Sequence, residues 1–107
     1  MKAINTTHAP AAIGPYSQAV EANGFVYVSG QLPIDPSTGA FAEGGIQAEA
    51  RQCLTNIKNI LAEAGMEMCD VVKVTVLLAD IASFSAVNEV YAEFFAEPYP
   101  ARSAFAV

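Results

Sequence analysis

An α+β fold, with two helices covering one face of a mixed β-sheet, is predicted by three features of this 107-residue chain. Two stretches repeat apolar residues at helical spacing, four others read as strands, and they follow one another as strand, strand, helix, strand, helix, strand. Strand–helix–strand crossovers are right-handed, which lays both helices on the same side of the sheet. The strands are nevertheless apolar on both faces, so the side without helices needs a cover. A second copy of the chain, packed sheet against sheet, is the simplest supply.

The first two strands meet in "AVEANGFVYVS", residues 19–29, where Asn23-Gly24 readily takes the positive φ angles of a type I′ hairpin turn. Alternation puts Phe25 and Tyr27 on one side of the second strand and Val26 and Val28 on the other. "DPSTG", residues 35–39, reads as a turn leading into a polar loop. From Ile46 the apolar positions Ala50, Cys53, Leu54, Ile57, Ile60, Leu61 and Ala64 mark a helix, and Gly65 sits where a left-handed C-terminal cap belongs. "DVVKVTVLLAD", residues 70–80, is rich in β-branched residues and lines Val72, Val74, Val76 and Leu78 on one face. Ile81, Phe84, Val87, Val90, Tyr91, Phe94 and Phe95 then mark a second helix, capped by Asp80 or Ser83 and stopped by the prolines of "EPYPA". Strand periodicity resumes at Ser103.

Size and composition bound the rest. A chain of this length supports one core and buries roughly 65% of its unfolded surface. Ala, Val, Ile, Leu, Met, Phe, Cys and Gly together make up 60 of the 107 residues, or 56%, against roughly 45–50% for an ordinary soluble domain. That excess again points to a buried face beyond the monomer's own core. The net charge of −6 opposes nucleic-acid binding, because Lys2, Arg51, Lys58, Lys73 and Arg102 form no basic cluster. No run approaches the length of a membrane helix, and the N-terminal residues do not resemble a signal peptide, so a cytoplasmic location is expected. Cys53 and Cys69 match no disulfide framework or metal-ligand spacing, and Cys53 falls on the apolar side of the first helix as a buried, inert thiol.

Arg102 is the leading functional candidate. "PYPARSAFAV", residues 98–107, sets this scarce cation between a rigid proline-rich approach and an apolar strand, with no acidic residue within four positions on either side. Most arginines make surface ion pairs, but a guanidinium in a cleft matches a carboxylate in a two-point bond. Tyr16 follows the Gly-Pro turn of "IGPYSQAV" and serves either as packing or as a directed phenol. Ser29 and Gly30 end a strand in "VSGQ", where glycine allows a ligand close to the backbone. Ser29 is not a hydrolase nucleophile, since the lone His8 lies in a proline-flanked segment and no nucleophile elbow is present. Glu89, Glu93 and Glu97 recur every four residues and read as a solvated helix face, not a metal site.

The segments "APAAIGPYSQAV", "VYVSGQLPIDPSTG", "VNEVYAEFF" and "PARSA", in this order and across the whole chain, resemble the YjgF/RidA family of reactive-intermediate imine deaminases. The resemblance implies a chorismate-mutase-like α+β fold and a homotrimer with clefts between subunits. It makes Arg102 the clamp on a substrate carboxylate, with Tyr16 reaching in from the neighbouring subunit. Ser29, the Gly30 backbone, Asn88 and Ala104 would lie along the ligand. The implied substrates are 2-aminoacrylate and 2-aminocrotonate or their imine tautomers, released by pyridoxal-phosphate-dependent dehydratases, and no cofactor or metal is implied. A non-catalytic module binding 2-keto acids or similar carboxylates is the alternative. A ribonuclease reading attached to the family is disfavoured by the acidic charge. The resemblance also implies one further strand carrying a glutamate, so residues 1–107 are expected to be a single domain lacking its final strand. Ala104 stands where many of that family have cysteine, which leaves only its backbone N–H for a ligand.

Overall fold

The computed structural model describes residues 1–107. Strands β1 (Lys2–Ile4), β2 (Ala19–Ala22) and β3 (Phe25–Val28) form an antiparallel sheet in that order. The β2–β3 turn has φ of 53° at Asn23 and 79° at Gly24, the paired positive values a type I′ turn requires. Strand β1 was not anticipated, because three residues are too few to display an alternation. A small hairpin of β4 (Ile34–Asp35) and β5 (Ala40–Phe41) encloses the predicted turn, in which the Asp35 carboxylate accepts from the Ser37 N–H at 2.8 Å and hydroxyl at 2.6 Å.

Helix α1 (Ile46–Glu63) stops where the sequence predicts. Gly65 has φ of 74°, its N–H donates to the Ala62 carbonyl, and the Met66 N–H donates to Leu61, so two terminal carbonyls are satisfied in a Schellman arrangement. Strand β6 (Lys73–Leu78) follows, then a 3-10 turn at Ile81–Ser83 that leads into α2 (Phe84–Phe94). Neither cap candidate caps α2 through its side chain: Asp80 caps the preceding 3-10 turn, accepting from the Ala82 N–H at 2.9 Å, and Ser83, at the α2 N-terminus, makes no side-chain cap bond. Strand β7 (Ala101–Ala106) begins two residues before Ser103, as an N–H to carbonyl bond from Ala101 to Val72 extends its pairing with β6.

β6 and β7 run parallel, as a helical crossover demands, with Val74 opposite Arg102, Val76 opposite Ala104 and Leu77 opposite Phe105. The expected mixed sheet is not one continuous ladder: its hydrogen bonds fall into β1-β2-β3, β4-β5 and β6-β7. Helix α1 links these parts by packing in two directions. Its Ile60 joins Ile4, Ala9 and Ala19, with Val26 and Val28 of β3 against them. Its Leu54 joins Val90, Tyr91 and Phe95, with Val74 of β6 against them. Each fully buried isoleucine, leucine, valine or phenylalanine among these contributes about 1.5–3 kcal/mol relative to exposure.

Two buried amides stitch loops to this frame. Gln18 is 3% exposed. Its Nε2 donates to the carbonyls of Thr6 and Pro10 while its Oε1 accepts from the Thr6 N–H, fixing the segment ahead of β2. Asn56, fully buried on α1, donates to the carbonyls of Leu32 and Ile34. On the side of the strands away from the helices, Phe25, Tyr27, Leu77 and Phe105 remain 58%, 61%, 62% and 55% exposed. No helix is long and apolar enough to cross a membrane.

Candidate functional site

Arg102 is positioned by its strand and by α2 together. The β6 ladder fixes its backbone opposite Val74, and side chains at every second position point to one face, so the guanidinium emerges on the side where the helices lie. There its carbon sits 4.9 Å from the centre of the Phe84 ring and 4.7 Å from that of Tyr91. Its Nη1 donates to Asn88 Oδ1 at 2.8 Å. Phe84, Asn88 and Tyr91 are spaced by four and three residues, which brings them to one stripe of α2.

A guanidinium has five N–H donors, and this one spends a single donor on protein. It has no carboxylate partner; the one ion pair in the chain joins Arg51 to Glu93, at 2.8 Å. Arg102 is nevertheless half-buried. A cleft of about 390 Å³ opens beside it, lined by Asn88, Tyr91, Ala92, Tyr99, Pro100 and Arg102. The geometry therefore offers a held, unneutralised positive fork to whatever enters. A neighbouring groove of about 450 Å³ shares Ala92 and Pro100 but is walled by Met68, Phe94 and Phe95 and contains no cation.

Tyr91 is 6% exposed, and its hydroxyl has no hydrogen-bond partner. Burial pushes its phenol above the ordinary value, with the Arg102 charge working the other way. The ring also stacks on Phe95 at 4.5 Å between centroids. Burial raises the Cys53 thiol to about 11, which keeps it protonated and unreactive at neutral pH.

Of the residues singled out from sequence, the fold brings Arg102 and Asn88 into contact, and Ala104 follows Arg102 on the same side of β7. Tyr16, Ser29 and Gly30 do not line the Arg102 cleft within one chain. Tyr16 is 54% exposed, and its hydroxyl accepts from the Ile13 N–H at 3.4 Å. Ser29 donates its hydroxyl to the Ser17 carbonyl at 2.6 Å. Gly30 is exposed, and a side chain there would meet nothing within 4 Å, so no wall of this chain requires glycine. The glutamates of α2 are only partly a solvated face, because Glu89 accepts from Gln47 and Glu93 from Arg51, both on α1. Sequence reasoning missed Tyr91 and Tyr99 as walls of the cleft and Phe84 as a ring against the guanidinium. The spacing of 84, 88 and 91 was the available signal, but it resembles ordinary core periodicity.

Fold and cleft together define a small α+β protein that presents an unpaired guanidinium to a recess of small-molecule size. The family model described as Endoribonuclease L-PSP matches residues 6–107, and the chain belongs to that family, the YjgF/RidA family. It is 56% identical over 104 residues to a protein of Capra hircus named 2-iminobutanoate/2-iminopropanoate deaminase, covering 97% of this chain and 76% of the relative. A Homo sapiens protein of the same name is 50% identical over 106 residues, covering 99% and 77%. Among solved structures, RidA from the Antarctic bacterium Psychrobacter sp. PAMC 21119 superposes with a TM-score of 0.95 at 48% identity, covering 100% of this chain and 86% of that one. E. coli TdcF with bound serine gives 0.94 at 43% identity, with the same coverage.

Proposed function

We propose that this protein hydrolyses small 2-imino acids and their enamine tautomers to 2-keto acids and ammonia, as a 2-iminobutanoate/2-iminopropanoate deaminase. The mammalian relatives bearing that name support the reaction. The observation that carries the reading is Arg102, a half-buried guanidinium with no counter-ion at the edge of a cleft. It binds the carboxylate common to substrate and product by a two-point, charge-assisted bond. Water then adds to the imine carbon, a proton moves to nitrogen, and the carbinolamine expels ammonia as its C–N bond breaks. The clamp serves ground and transition states alike and acts through orientation, holding the imine where water can attack. Tyr16, Ser29, the Gly30 backbone, Asn88 and Ala104 complete the ligand's surroundings in this reading.

The same reading makes the protein a homotrimer. The apolar outer face around Phe25, Tyr27, Leu77 and Phe105 supports it, as does the exposure of Tyr16, which would enter a neighbour's Arg102 cleft. Sedimentation should give three times the 11.2 kDa chain mass, and a stable 11.2 kDa species would refute the trimer. The link to pyridoxal-phosphate-dependent dehydratases follows from their chemistry, since they release these enamines.

Mixing the protein with a threonine dehydratase and threonine tests the activity. Release of 2-ketobutyrate should accelerate at constant dehydratase turnover. Unchanged release would leave the second reading, a non-catalytic module for small carboxylates, which the bound serine of TdcF favours. The family's endoribonuclease description finds no matching footprint in a chain of net charge −6.

A further inference from the structure

We infer that Phe84, Asn88 and Tyr91 form a neutral cage whose task is to hold Arg102 without discharging it, making the two rings positioning residues for anion capture. This inference rests on the proposed binding of a carboxylate by Arg102.

The argument starts from cost. A half-buried guanidinium loses part of its hydration, and proteins usually offset that loss with a carboxylate. Here none is in contact: the glutamates of α2 engage α1 instead, Glu89 through Gln47 and Glu93 through Arg51. What faces the guanidinium is the Phe84 ring at 4.9 Å, the Tyr91 ring at 4.7 Å and the amide oxygen of Asn88 at 2.8 Å. The negative faces of the rings attract the cation and the amide oxygen accepts one hydrogen bond, but all three partners are uncharged. A carboxylate in their place would stabilise the arginine more and occupy the fork. The cage therefore restrains the side chain and leaves its full charge for an incoming anion, which lowers the ordering cost of binding.

The rings act as faces, not through polar atoms. Phe84 has none, and the Tyr91 hydroxyl lacks a partner, so the phenol oxygen contributes nothing to the grip. Position 88 carries the other half of the design. Asn88→Asp is nearly isosteric and turns the neutral acceptor into an anion that pairs with Nη1, so the protein would hold its own competitor.

Calorimetric titration of the full chain with 2-ketobutyrate tests this without relying on turnover, using Arg102→Ala as the reference. Phe84→Leu and Tyr91→Leu should each weaken binding by about three- to tenfold, the range for loss of one cation–π contact. Tyr91→Phe should bind several-fold tighter than Tyr91→Leu, a rescue that separates the ring face from the hydroxyl. Asn88→Asp should lose at least about tenfold. In the dehydratase-coupled assay the ring variants should change KM more than kcat. Thermal melts identify folded variants, and Phe84, only half-buried, supplies the decisive comparison should Tyr91→Leu fail to fold. Loss of binding in Arg102→Ala alongside affinities within about twofold of the parent in Phe84→Leu and Asn88→Asp overturns the cage and leaves the clamp standing. Undiminished binding in Arg102→Ala itself removes the clamp and the cage together.

Discussion

The chain's two arginines both reach α2, yet they live under opposite rules. Arg51 extends from α1 over the surface to Glu93, with about half of each side chain exposed, in an ion pair that water and salt largely screen. Arg102 approaches from β7, finds aromatic rings and an amide, and keeps most of its donors unspent. One cation is consumed within the fold while the other is kept in reserve. Charge alone therefore does not mark a binding group. A charge whose compensation is incomplete and whose geometry is fixed does.

Four measurements press on this contrast. The largest effect belongs to Arg102→Ala, which should weaken 2-ketobutyrate binding by more than about 100-fold, the range for removing one side of a buried charge pair, with a melting temperature close to the parent's. Arg102→Lys keeps the charge and loses the planar fork, so titration should show an intermediate loss, about tenfold. Arg102→Met keeps the bulk and removes the charge that opposes burial at Tyr91, so an ultraviolet pH titration should find that phenol displaced further upward. Arg51→Met should be the quietest: ligand affinity and the Tyr91 titration both stay as in the parent. A marked loss of affinity in Arg51→Met would erase the distinction between the two sites.

How far the sequence revealed this depends on how local each signal is. The Asn23-Gly24 hairpin, the stop at Gly65 and the strand–helix alternation are set by residues adjacent in the chain, and all three appear as expected. Arg102 and Asn88 were recognisable as candidates, the first from its unusual setting and the second through family resemblance. The contact of Arg102 with Phe84 and Tyr91 was not recognisable, because it joins a strand to a helix and depends on which face of β7 turns inward. The periodicity of α2 assigned both aromatics to a core without showing that a cation shares it. Strand β1, the β4–β5 hairpin and the division of the ladder into three parts also escaped, since short pairings depend on tertiary support more than on pattern.

The parallel register between β6 and β7 carries one more consequence. Successive strand residues face opposite ways, so inserting a single amino acid between α2 and Ala101 that slides β7 by one rung would rotate Arg102 to the outer surface and bring a small neighbour beneath the rings. Under the proposed function, carboxylate capture is thus hostage to the length of a connector as much as to the identity of any side chain. An indel there would remove the proposed clamp while leaving most of the scaffold upright.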